Sequence, residues 1–256
     1  MRRFARSVVA GVLAGVSCVA AQHTVLPAET VSPDQDRAEM VLVPAGEFWM
    51  GSDDGADDEK PRRKVLLDAF YIDRFEVSNA LYARFVAATH RTSPGSSGSA
   101  PATSPVVEVS WDDAASYCAW AGKRLPTEAE WEKAARGTDG RRYPWGEPWE
   151  GTHANSAETR AGGPVDVKSY PSGASPYGVH NMAGNVWEWV ADWYDESLYQ
   201  RSVNRDPIGP AGGKYRVLRG GSWDNNPGRL RAAERNYDRA DVKNGNFGFR
   251  CAKGRS

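Results

Sequence analysis

Apolar and polar positions follow distinct patterns along the chain. Met40-Val-Leu-Val-Pro44 opens a strand-like apolar run, and residues 65–72 read as a second strand. Leu81, Tyr82, Phe85 and Val86 recur at helical spacing behind Ser78, which predicts a helix from that cap to about His90. Ser110 with Asp113 resembles a capping box, and predicts a helix to about Ala121 stopped by Gly122. Thr127 with Glu130 is a T-x-x-E box, whose helix should run to Arg136 and stop at Gly137. Beyond that glycine the periodicity fades, and Gly, Pro, Asn and Trp dominate. Short strands are predicted at 186–190, 215–219 and 247–252. Residues 92–105, TSPGSSGSAPATSP, are low-complexity and read as a flexible surface loop. The acidic run 53–60, DDGADDEK, reads as a solvated loop, because it lacks EF-hand spacing for calcium. No internal repeat is visible. The pattern gives one domain, 40–253, behind a polar linker at 22–39.

The first residues read as a targeting segment. Arg2, Arg3 and Arg6 precede an apolar run from Val8 to Val19, and Val19-Ala20-Ala21 offers a cleavage site after Ala21. The apolar run is too short to span a bilayer, which needs about 20 residues. A lipid anchor at Cys18 is the rival reading, but Gly15-Val16-Ser17 lacks the usual leucine three residues before the cysteine. The expected location is therefore periplasmic or secreted. The whole chain carries 32 Lys+Arg and 33 Asp+Glu, a formal charge of -1, so no basic field attracts nucleic acid. Among its 256 residues are 10 Trp and 26 Gly, which suit a loop-rich fold pinned by large aromatic side chains. Once Cys18 leaves with the signal, Cys118 and Cys251 remain. Export favours a disulfide between them; two buried free thiols are the alternative.

Several segments then fall into one ordered pattern: MVLVPAGEFWMGS at 40–52, AFYIDRFEVSNALYARF at 69–85, and PVVEVSWDDAASYCAWAGKRLPTEAEWEKAARG at 105–137. YPWG at 143–146, NMAGNVWEWVADWY at 181–194, RGGSW at 219–223 and GFRC at 248–251 complete it. In order and spacing this resembles the formylglycine-generating-enzyme, or sulfatase-modifying-factor, family. The resemblance implies an α+β fold: an irregular C-type-lectin-like single domain with low regular secondary structure. Cys118 and Cys251 match the family's structural disulfide. A family calcium site uses an Asn side chain, two backbone carbonyls and a Glu side chain, which fall on Asn181, Gly184, Val186 and Glu188. Oxygen donors of this kind suit a hard cation; a tryptophan-rich core turn without metal is the alternative. A second family calcium site begins at Asn155 and Ser156, but its other ligands come from a segment that is shorter here.

One departure bears on function. The family's enzymes hold a copper ion with two thiolates placed just after the GGS motif, and Cu(I) prefers sulfur. Here that stretch reads GGSWDNNPGRLRAAER, without cysteine; Asn225 and a residue near Leu230 stand where the thiolates would be. Copper-dependent formylglycine generation is therefore not expected. The polar set left in this region, Ser222, Trp223, Asp224, Asn225, Asn226, Arg229, Arg231, Arg235 and Asn236, supplies planar donors, acceptors and a stacking face. That is ligand-binding chemistry for a peptide, an exported protein or a small polar ligand; Asx-turn capping is the alternative for any single Asn. Asp224 and Glu234 are the candidate acid–base groups if the domain is instead an enzyme of different chemistry. The family includes such an exported member, acting in pyoverdine chromophore maturation. The Asn-rich stretch also resembles the variable region of retroelement-diversified proteins that display changing side chains on this scaffold. His180, ahead of the calcium motif, reads as a structural residue.

Overall fold

A computed structural model describes residues 35–95, 100–201 and 203–254. The expected signal peptide, Cys18 and most of the expected linker lie outside the described residues.

In chain order the elements are β1 (Met40–Val43), β2 (Gly46–Met50), β3 (Arg63–Leu67), β4 (Phe70–Asp73), α1 (Asn79–Thr89), α2 (Trp111–Trp120), α3 (Glu128–Arg136), β5 (Trp187–Trp193), α4 (Leu198–Arg201), β6 (Arg216–Arg219), β7 (Arg235–Asp238), β8 (Phe247–Phe249) and β9 (Ala252–Gly254). The strands form three small sheets: β1-β4-β9, the hairpin β2-β3, and β7-β6-β5-β8, with β8 parallel to β5. This mixed α+β architecture is the irregular one expected.

The three long helices begin where their caps predict. Ser78 accepts the Leu81 N–H, and Ser110 and Thr127 each close a reciprocal box with Asp113 and Glu130. Gly122 and Gly137, at φ 78° and 69°, let the chain leave α2 and α3 in conformations a side chain would strain. Two long strand expectations are corrected. The run at 65–72 is two strands broken at Asp68-Ala69, because β3 pairs with β2 whereas β4 joins β1 and β9. The run at 247–252 breaks at Arg250 and Cys251, both fully buried and turned to other partners. β2 and β7 carried no strand signal.

Three loop expectations are also corrected. Residues 101–105 are fastened to α1: the Asn79 amide donates to the Pro101 and Ser104 carbonyls, and Ser104 is buried. Within the acidic run, Asp57–Glu59 forms a 3-10 turn and Glu59 is fully buried. Asp36, placed in the linker, is buried too, accepting from Tyr117 Oη at 2.9 Å and Lys123 Nζ at 2.9 Å. The ordered domain thus starts before residue 40.

Two apolar clusters share the work of the core. One sets Trp131 and Val190 among the residues of β1 to β4. The other packs Tyr82, Phe85, Tyr117 and Phe249 edge to face against β5. Cys118 and Cys251 form a disulfide, with Cα atoms 5.6 Å apart, that joins α2 to the turn between β8 and β9. No helix among the described residues is long and apolar enough to cross a membrane.

Candidate functional site

The 181–189 segment is a tight turn feeding β5. Asn181, Gly184 and Asn185 all have positive φ, at 57°, 85° and 63°. Gly184 is obligatory, since a Cβ there would meet the Asn155 carbonyl oxygen at 2.2 Å. The turn buries its polar groups around two carboxylates. Glu188 accepts from Arg250 Nε and Nη2, both at 2.7 Å, and from Trp131 Nε1 at 2.8 Å. Among the described residues Glu76 accepts from two amides, Asn181 Nδ2 at 2.7 Å and Asn185 Nδ2 at 2.9 Å. Burial first, and then the neighbouring Glu188, push Glu76 up to about 8.

Two buried carboxylates therefore face one guanidinium. Asn181 spends both amide hydrogens, on Glu76 and on the Val167 carbonyl at 2.8 Å, so its Oδ1 is the atom left for a cation. Amide and carbonyl oxygens beside two buried carboxyl groups are the donor type that suits a hard cation such as calcium. Asn181, Gly184, Val186 and Glu188 would hold it, with Glu188 shared with Arg250. Sequence reasoning missed Glu76, Asn185 and Arg250, although FEVSN at 75–79 and GFRC were visible as motifs. Asn155 packs against the same turn, its amide donating to Asn185 Oδ1 at 3.1 Å and its Oδ1 accepting from Thr159 at 3.0 Å. Ser156 is fully buried beside it. Among the described residues no group of three or more His, Cys, Asp or Glu side chains is arranged to hold a metal.

The 222–236 segment divides its polar residues between fold and solvent. Trp223 is half-buried with its Nε1 lacking a hydrogen-bond partner, while Asp224, Asn226 and Arg229 are exposed. Four other residues expected to bind ligand are spent on the fold. Ser222 is buried, and its Oγ lies 2.5 Å from Asp224 Oδ1 and 3.0 Å from Asn225 Oδ1. Asn225 also accepts the Ser222 N–H at 3.0 Å, so its side chain reaches back three residues and closes the turn. Arg231 grips the Glu59 carboxylate at 2.6 and 2.7 Å, and Arg235 grips Glu128 at 2.7 and 3.0 Å. A guanidinium taken out of water needs such a partner; Arg235 is buried, whereas Arg231 is half-buried. Asn236 lies half-buried in β7.

Glu234 is buried, and desolvation raises its carboxyl although Arg229 and Arg231 oppose the shift. Leu230 is fully buried against Tyr143 and Ala183, with Trp145 and Trp149 packed around them. Near the place where the resemblance would put the second thiolate, Leu230 is thus hydrocarbon packed under a cluster of aromatic rings. His180 is tilted against Phe75 at 4.8 Å; burial lowers its basicity, and its Nδ1 has no hydrogen-bond partner.

This arrangement, a lectin-like scaffold around a GNVWEW turn and a GGSW loop, defines a class. Residues 27–255 match the sulfatase-modifying factor enzyme 1-like domain, and the chain belongs to that family. Among its relatives, the chain is 40% identical to a formylglycine-generating enzyme of Streptomyces coelicolor, over 88% of this chain and 92% of that protein. PvdO from Pseudomonas aeruginosa superposes with a TM-score of 0.78 at 28% identity, covering 90% of this chain and 99% of PvdO. Treponema denticola variable protein 1 gives 0.75 at 25% identity, covering 90% of this chain and all of the other.

Proposed function

We propose that this protein is an exported, periplasmic or secreted member of the family that binds or matures a partner without copper-thiolate chemistry, on a scaffold stabilised by calcium. The observation that carries the reading is the pair Asn225 and Leu230. Asn225 is tied into a turn and Leu230 is buried hydrocarbon, and neither is a soft donor for copper. The partner is a peptide, an exported protein or a small polar ligand, met by the half-buried Trp223 and the exposed Asp224, Asn226 and Arg229. Elemental analysis of protein purified from the exported fraction tests this. Calcium without stoichiometric copper or iron is expected. Stoichiometric copper, or an aldehyde formed on a sulfatase-motif peptide incubated with protein and copper, overturns it.

A second reading is an oxidative maturation enzyme of different chemistry. The likeness to PvdO along nearly its whole length supports it. Glu234, a buried carboxyl raised by desolvation, is then the acid–base candidate, with Asp224 at the exposed rim. Turnover of a siderophore precursor that Glu234→Gln abolishes without unfolding the protein would favour this reading over binding alone.

A further inference from the structure

A cavity of about 660 Å³ opens between α2, the β4 and β9 strands and the 204–209 strap. Its lining shares no residue with the 181–189 or 222–236 segments. We propose that this cavity is a second binding site, for an uncharged aliphatic chain held under the strap as a lid.

The volume lies within the roughly 300–1,000 Å³ typical of small-ligand pockets. The floor is the face of α2 turned away from the core. Trp111, Ala115 and Ala119 line the cavity, whereas Ala114, Tyr117 and Cys118 fill the core behind them. The eight steps from Trp111 to Ala119 make a floor about 12 Å long at 1.5 Å per residue, which suits a chain better than a compact ring. Phe70 and Leu125 form side walls. The Trp111 indole is held in place before any ligand arrives: its Nε1 donates to the Val190 carbonyl at 2.7 Å, and Arg216 stacks 3.6 Å from its ring centre.

The charged residues that line the cavity are engaged with protein partners, which disfavours an ionic ligand. Arg124 grips Glu130 through two contacts of 2.6 Å. Lys123 is shared between Asp36 and Asp73 at 2.9 and 2.8 Å. Asp68 pairs with Arg205 at 2.7 Å, and Asp206 accepts the Asp68 N–H at 2.8 Å. Among the described residues, each charged group of the lining thus already has a protein partner.

The strap is built as a lid. One end is tied to β3: Leu66 N–H donates to the Asn204 carbonyl at 2.7 Å, and Asp206 N–H to the Leu66 carbonyl at 2.9 Å. The other end is pinned by Gly209 N–H donating to Asp192 Oδ1 at 2.5 Å. Between these ties Pro207 lies buried while Ile208 stays 70% exposed. An isoleucine left largely in water beside an apolar cavity is covered once a chain occupies it.

Titration of the mature protein with the uncharged fluorophore N-phenyl-1-naphthylamine tests the site. Saturable uptake at one site per chain is expected, with displacement by 1-decanol. Ala115→Trp fills the floor and should weaken uptake by at least about tenfold while the thermal midpoint holds. Ile208→Asp lies in solvent, cannot disturb the core, and should weaken uptake severalfold; Tyr237→Ser, on an unrelated exposed ring, should leave it unchanged. Non-saturable uptake, failure of decanol to compete, or uptake indifferent to both Ala115→Trp and Ile208→Asp overturns the proposal. The 222–229 loop is untouched by these variants, so the outcome is independent of the function proposed above.

Discussion

The 181–189 turn and the 222–229 loop draw on the same side-chain types, chiefly Asn, carboxylates and arginine, and put them to opposite uses. Around the turn, Glu76, Asn181, Asn185, Glu188 and Arg250 are all buried and bonded to one another. Along the loop, Asp224, Asn226 and Arg229 stand in water. The difference lies in surroundings rather than composition. The turn feeds a central strand that pairs on both sides, so each polar group there must find a protein partner. The loop lies outside the sheets, and water satisfies what the chain leaves open. Polar residues of the first kind specify the fold; those of the second kind keep a face toward solvent, although Arg229 pairs with Glu234 at 3.1 Å and Asp224 accepts from Ser222 and Asn246.

The comparison predicts its largest effect at Arg250. Arg250→Met leaves Glu76 and Glu188 buried without a guanidinium, and should cost about 3–5 kcal/mol in urea unfolding. Adding Glu188→Gln should recover part of the loss, because it removes one of the orphaned charges. A single variant no less stable than the wild type would mean that the turn is not held by this pair. Chelation comes next. If calcium sits at Asn181 and Glu188, EGTA should lower the thermal midpoint, with about 2.7 kcal/mol at stake where free calcium is a hundredfold above its Kd. An unchanged midpoint would leave the turn as a protein-only network.

A smaller effect is read as a slope. Asp192, on the same strand as Glu188, is buried and accepts only the Glu128 and Gly209 N–H groups. Burial, reinforced by Glu128, raises it to about 7 from 3.8. Its folded-state value lies above the unfolded one, so the native protein binds the extra proton between those limits. Its contribution to stability must fall as pH rises from about 4 to 7. Asp192→Asn should flatten that part of the wild-type stability profile; an unchanged slope would show that the carboxyl is not the titrating group.

Much of the scaffold was legible because its signals are local. Ser78, Ser110 and Thr127 cap helices by bonds reaching three residues along the chain, and the sequence displays that spacing. The cysteine pair was legible through export and family motif together. Long-range pairing was not. Nothing near Glu59 announces that Arg231, 172 residues later, will bury it, and the acidic run therefore looked fully solvated. The same limit hid the carboxylates that Arg231 and Arg235 pair with, since an arginine in sequence does not reveal whether its carboxylate is already waiting. The breaks at Asp68 and Arg250 were hidden because strand periodicity cannot tell which sheet each half will join.

The smallest predicted effect separates two neighbours. Asn225 accepts the Ser222 N–H through its side chain, whereas the Asn226 side chain makes no capping bond to the turn it precedes. Asn225→Ala should therefore cost about 1 kcal/mol, the net worth of one protein hydrogen bond. Asn226→Ala should fall within about 0.5 kcal/mol of wild type, as exposed substitutions do. Binding of the partner should show the reverse order, with Asn226→Ala weakening it while the fold stays intact. Equal stability losses at the two positions would erase the division between fold-making and ligand-facing residues within this loop. A clean separation would locate the binding surface at the exposed edge of the very segment where the family's enzymes keep their thiolates.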